Sequence, residues 1–126
     1  MRVKDYKGHR MSNSLNAFNF YKKKTGRSLE GDMINVAKVK DFQKKVEEDK
    51  FDELTQEEID TLASIDAVST LSNIYCALRQ AGDMNVRGLT FEEIIDKDQI
   101  TLEDIQSTEF MEVIIYLLGK DEKSKK

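Results

Sequence analysis

The sequence predicts a mainly α domain of the α+β class, with a small N-terminal β-hairpin packed on a compact single-domain bundle of about five or six helices. Three features lead there. The chain has no proline and 6 glycines in 126 residues, which favours long helices over turn-dense sandwiches. Apolar residues recur at helical spacing behind Thr- and Ser-led helix-opening boxes. One stretch, Asp66 to Asp83 (DAVSTLSNIYCALRQAGD), joins a full apolar stripe of Ala67, Leu71, Ile74, Tyr75 and Leu78 to near neutrality, in a chain that is 35% charged. Between Ala67 and Gln80 its only formal charge is Arg79. A helix this neutral belongs at the centre, covered on several sides and closed by Gly82.

In chain order, residues 1–13 alternate apolar and polar around a Lys7-Gly8-His9 turn and read as a hairpin that must lie on the helices, because two strands alone are marginal. Asn13 or Ser14 caps a helix with Leu15, Phe18 and Tyr21 as its stripe and Phe20 on the shoulder; Thr25-Gly26 closes it. Lys22, Lys23 and Lys24 suit the negative end of that helix. Leu29, Met33 and Ile34 bridge to a second helix from about Asn35 to Asp49, whose Val36, Val39, Phe42 and Val46 face inward. Phe51 and Leu54 continue the apolar contact. A capping box at Thr55 to Glu58 opens a short helix lined by Ile59, Leu62 and Ile65. Beyond the central helix, Asp83 to Gly88 reads as a mobile connection between glycines. Thr90 to Glu93 and Thr101 to Asp104 open two short helices, and a last one, nearly apolar all round, spans about Thr108 to Leu118 before Gly119. Residues 120–126 read as a disordered charged tail, leaving 1–119 as the domain.

Charge is unevenly spread. Residues 1–27 carry eight Lys and Arg against Asp5 alone, whereas residues 28–119 carry 21 Asp and Glu against eight Lys and Arg. The basic head either attracts the acidic body, stays solvated, or contacts a partner. No apolar run approaches the roughly 20 residues of a membrane span, and no signal peptide is visible. With one cysteine, Cys76, the reading is of a cytoplasmic protein without an internal disulfide.

No phosphate loop, nucleophile elbow, metal motif or Ca²⁺ loop is present, so no catalytic residue, cofactor or metal is expected. His9, the single histidine, falls in a turn and reads as a surface residue. Cys76 projects away from the core stripe and reads as packing under a neighbouring helix or at an interface. Tyr6, Phe18, Phe20 and Tyr21 interleave with basic residues, a pattern that suits single-stranded nucleic acid, although their helical spacing is better explained by packing.

Three stretches together resemble the tail assembly chaperones of long-tailed bacteriophages, particularly those of Gram-positive hosts. They are NSLNAFNFYKKKTGRSL (Asn13 to Leu29) behind the basic hairpin, IDAVSTLSNIYCALRQAG (Ile65 to Gly82) and LTFEEIIDKDQITLEDI (Leu89 to Ile105). The resemblance implies a non-enzymatic assembly factor in the host cytoplasm. Such a protein binds the tape measure protein, keeps its hydrophobic helical segments from aggregating and helps recruit tail tube protein. That role calls for apolar surface able to grip amphipathic helices. The candidate surface is the last helix, through Phe110, Met111, Ile114, Ile115 and Leu118, with Lys22, Lys23 and Lys24 as a second contact; burial of that helix in the core is the competing reading. Self-association is possible, and neither nucleic acid nor membrane is expected as a partner. The alternative function is a small phage or plasmid regulator binding nucleic acid through the basic head. Against it stand the acidic body and the lack of a basic recognition helix.

Overall fold

The computed structural model describes residues 1–47, 55–57 and 66–119, with side chains for all of these but 40–47. The fold is α+β: an N-terminal antiparallel hairpin, β1 (Val3–Tyr6) and β2 (His9–Ser12), followed by six α-helices among the described residues. The helices are α1 (Leu15–Thr25), α2 (Leu29–Glu47), α3 (Ala67–Gly82), α4 (Phe91–Asp98), α5 (Leu102–Ile105) and α6 (Thr108–Leu118).

The hairpin turns on two residues, Lys7 and Gly8, both with positive φ (54° and 81°), the geometry that matches the twist of flanking strands. Tyr6 therefore pairs with His9, which is a strand residue and not part of the turn. Val3 stays exposed, so the hairpin is held to the helices by Tyr6 and Met11, both buried. The Tyr6 ring meets Phe110 edge-on with centroids 5.2 Å apart. At its open end Asn13 Nδ2 donates to Leu117 O at 2.7 Å, and an Arg2 guanidinium nitrogen donates to Tyr116 O at 2.9 Å. The hairpin thus donates to two carbonyls in the last turn of α6, one of which, Tyr116 O, also accepts from the Gly119 amide.

Helix α3 is the centre. Leu71, Ile74, Tyr75 and Leu78 are buried as its stripe predicts, and so are Cys76, Ala77 and Gln80 on the other side, because α1, α2, α4 and β2 all pack on it. Asp66 caps it by accepting from the Ser69 amide at 3.1 Å. Gly82 does not end it by turning left-handed; it is still helical. A Cβ there would stand 2.8 Å from Arg10 O and 2.9 Å from Met11 Cα, so the glycine is what lets β2 cross the end of the helix. The chain leaves through Asp83 in an extended conformation and a 3₁₀ turn at Met84–Val86. That connection is tied down on both sides. Arg87 donates to Gln80 O and Ala81 O, while Gln80 Nε2 donates to Leu89 O at 2.8 Å.

Two helices differ from the sequence expectation. α1 is rotated: it buries Ala17 and Tyr21, while Leu15 and Phe18 face outward. The cause is Asp32, whose carboxylate accepts from Tyr21 Oη and from both Nε and Nη2 of Arg27 at 2.9 and 2.7 Å. A buried tyrosine needs such an acceptor, and small Ala17 lets α1 approach closely. α2 starts at Leu29, six residues before Asn35. Leu29, Met33 and Val36 form one buried stripe, and Glu30 and Asp32 suit the positive N-terminal end. Val39 is buried as expected. Side chains of Phe42 and Val46, and residues Phe51, Leu54, Glu58, Ile59, Leu62, Ile65 and 120–126, lie outside the description.

The later helices match their local signals. Thr90 and Glu93 exchange bonds at 3.1 and 2.8 Å, and Thr101 and Asp104 at 3.2 and 2.9 Å, each a complete capping box. Helix α6 opens on Ser107, which accepts from the Phe110 amide, and closes on Gly119 at φ 78°.

Candidate partner-binding surfaces

The predicted partner residues separate into two groups. In α6, Phe110, Met111 and Ile114 are buried together with Val113 and Leu117, and Ile115 and Leu118 are half-buried against the same cluster. The expectation that Phe110, Met111, Ile114, Ile115 and Leu118 form a displayed apolar face gives way to the competing reading of burial: the helix is a core element, because β1, α2 and α5 cover it. Of α6, Tyr116 alone among the large apolar residues stays exposed, under Arg2 and Lys4, with the guanidinium 4.7 Å from the ring centre. Lys22, Lys23 and Lys24 are exposed at the end of α1, as a solvated helix end predicts.

What fixes these surfaces in place is a buried polar cluster that sequence reasoning missed. Asp98, the last residue of α4, has a side chain 1% exposed and faces Arg79 of α3, at 2%. Its carboxylate accepts from Arg79 Nε and Nη2 at 2.5 and 3.2 Å and from Tyr75 Oη at 2.7 Å. His9 Nδ1 lies 3.5 Å away, so the histidine is at the edge of this cluster and is not a free turn residue. Arg79 Nη1 also donates to Arg10 O at 2.8 Å, which locks β2 to α3. Burial pushes the Asp98 carboxyl up, but the bonds from Arg79 and Tyr75 outweigh it and hold the group below the ordinary carboxylate range. Signals for this pair were present in the sequence. Arg79 is the lone charge on a neutral helix, and Asp98 falls on the same stripe as Phe91 and Ile94.

Much of the basic head is engaged within the chain. Lys7 Nζ is 3.0 Å from Asp104, Lys24 Nζ is 3.9 Å from Glu92 and sits over the Phe91 ring, and Arg27 grips Asp32. Attraction between basic head and acidic body is therefore real in the fold. The backbone amide of Thr101 and the Lys7 ammonium hold Asp104 down at about 2.

A cleft of about 230 Å³ opens between α2, α3 and the α5–α6 corner, lined by Val36, Val39, Val68, Leu71, Ile105 and Met111. Its volume is below the about 300–1,000 Å³ of small-molecule sites, and Gln106 and Ser107 stand within its mostly apolar lining. Among the described residues no group of three or more His, Cys, Asp or Glu is placed to hold a metal ion, and no described helix is long and apolar enough to cross a membrane.

Cys76 is buried beneath α4, with Sγ 3.4 Å from Phe91 O, which matches its reading as packing. Burial, with Asp98 and Glu92 adding to it, pushes the thiol up to about 12, leaving it protonated and unreactive at neutral pH. An aromatic disulfide reagent is expected to modify the native protein at least about 10³-fold more slowly than the denatured chain. Rapid labelling at neutral pH would show that α4 is not seated on α3.

Comparisons with protein-family models, with curated proteins and with solved structures find no match for this chain.

Proposed function

We propose that this chain is a non-enzymatic tail assembly chaperone of a long-tailed phage, which holds helical segments of the tape measure protein and assists assembly of the tail tube. The observation that carries the reading is where the resembling stretches fall. Asn13 to Leu29, Ile65 to Gly82 and Leu89 to Ile105 supply α1, α3, α4 and α5, so the likeness lies on packed scaffold and not on scattered loops. Supporting it, the polar clusters are absorbed in joining hairpin and helices, while apolar side chains remain at the surface of α1 and in the cleft beside Met111. Binding, not turnover, is what such a surface does.

Co-expression with a helical segment of the tape measure protein from the same genome tests the reading. The segment, insoluble alone, is expected to move into the soluble fraction and to co-purify with the chain. No gain in solubility across segments spanning the tape measure protein removes the chaperone assignment. Tight, salt-sensitive retention of DNA in a gel shift would replace it with the regulator reading.

A further inference from the structure

We propose that the outward face of α1 is the docking surface, and that it takes an amphipathic helix of a partner protein whose apolar stripe is rimmed by Asp and Glu. The inference rests on the carrier reading above and adds to it the surface and the chemistry of the segment.

The first observation is the rotation of α1. Because Tyr21 turns inward to reach Asp32, Leu15 is left 76% exposed and Phe18 36% exposed. Leu15, Phe18 and Lys22 stand at i, i+3 and i+7, one stripe on the side away from Ala17 and Tyr21. A single exposed apolar residue needs no explanation, but two adjacent ones on the solvent face of a short helix make a small anchor site. Burying each against a partner is worth about tenfold or more in affinity.

The second observation is charge. Helix α1 contains no acidic residue, and its first turn has none to offset the positive end of the helix. Ser14 makes no side-chain capping bond there. Lys7, Lys24 and Arg27 have acidic partners within the chain, but Lys22 and Lys23 are exposed and form no ion pair among the described residues. The face thus runs from a positive helix end, across Leu15 and Phe18, to two lysines, over about 12 Å. A partner helix complements it with apolar residues flanked by carboxylates. Nucleic acid complements it poorly. A duplex carries a charge about every 1.7 Å and would bring phosphates against exposed Glu92, which adjoins Lys24. A peptide places carboxylates only where the lysines are.

The test uses the full chain and two synthetic helical peptides of about 20 residues, identical in a Leu and Phe stripe but rimmed by Glu in one and Lys in the other. Binding is read by fluorescence anisotropy at low and high salt. The Glu peptide is expected to bind at least about tenfold more tightly than its Lys twin, with the difference shrinking at high salt. A Lys22→Glu/Lys23→Glu variant is expected to reverse the preference. Leu15→Ser/Phe18→Ser is expected to weaken both peptides at least about tenfold while the helical circular dichroism spectrum and a cooperative thermal transition are kept, since neither side chain belongs to the buried core cluster. Equal binding of the two peptides, or no effect of either variant, overturns the proposal. So does stronger binding to single-stranded or duplex DNA, or a wild-type dimer that the serine variant dissolves. The solubility assay separates the two levels. If the wild type and the serine variant rescue a tape measure segment equally, the chaperone reading stands and this face is wrong. If the wild type rescues nothing while the Glu peptide binds as expected, the face stands and the chaperone reading falls.

Discussion

Replacing Asp98 with Ala is expected to destabilise the protein by about 3–5 kcal/mol, the cost of leaving a buried partner charge unpaired. Among the described residues Arg79 would keep Arg10 O and Asp83 as acceptors, and Tyr75 would lose the Asp98 acceptor of its hydroxyl. Urea unfolding at neutral pH measures the loss. Replacing Arg79 and Asp98 together by apolar residues of similar volume is expected to cost less than D98A alone, because no orphan charge remains. The pair also sets an acid limit. A carboxyl whose folded value is depressed stabilises the fold above its unfolded value of about 3.9, and that contribution disappears as pH falls through the folded value. Asp98 and Asp104 are both held low, Asp104 at about 2, so stability should decline between about pH 4 and pH 2. D98A is expected to show a shallower decline across that window than the wild type. An equal slope would mean that Asp98 is not ionised in the fold.

Ile114→Asp is expected to abolish folding. Ile114 is fully buried in the cluster that holds Tyr75 and Phe110, and a carboxylate placed there finds no partner. Its transfer costs several kcal/mol, against a total stability of about 5–15 kcal/mol for a domain of this kind. Leu118→Asp, at a half-buried position beside Gly119, is expected to lower the thermal midpoint while leaving a cooperative transition. Circular dichroism on both variants decides between the two roles once open for α6. A folded I114D protein would restore the helix as a displayed surface.

These two expectations mark where the sequence could and could not be read. The bounds of α6 and both capping boxes were legible because Ser107, Thr90, Thr101 and Gly119 act on backbone groups within three or four residues of themselves. The centrality of α3 was legible from its neutrality. The rotation of α1 was not, because Tyr21 is at helical spacing both from Phe18, with Leu15, and from Ala17. The choice between them rests on Asp32, which lies in another helix. α2 read as starting at about Asn35, with Leu29 and Met33 in a bridge before it, yet Ser28 accepts from the Gly31 amide and the helix begins at Leu29. Gly82 carried the signature of a helix stop, but its real constraint is the crossing of β2, a contact about seventy residues away in sequence. Of the candidate surface, the lysines are visible as charges, whereas the helical spacing of the anchors Leu15 and Phe18 points to the core.

A partner helix is expected to dock on α1 while α6 stays closed in the core. Backbone amide NMR of the full chain, titrated with a soluble tape measure helix that has an acidic rim, tests it most directly. Shifts are expected to concentrate at Leu15, Asn16, Phe18, Asn19, Lys22 and Lys23, with Tyr75, Phe110 and Ile114 unmoved. Shifts or line broadening centred on Phe110 to Leu118, with α1 silent, would contradict it and show that the chain opens to bind.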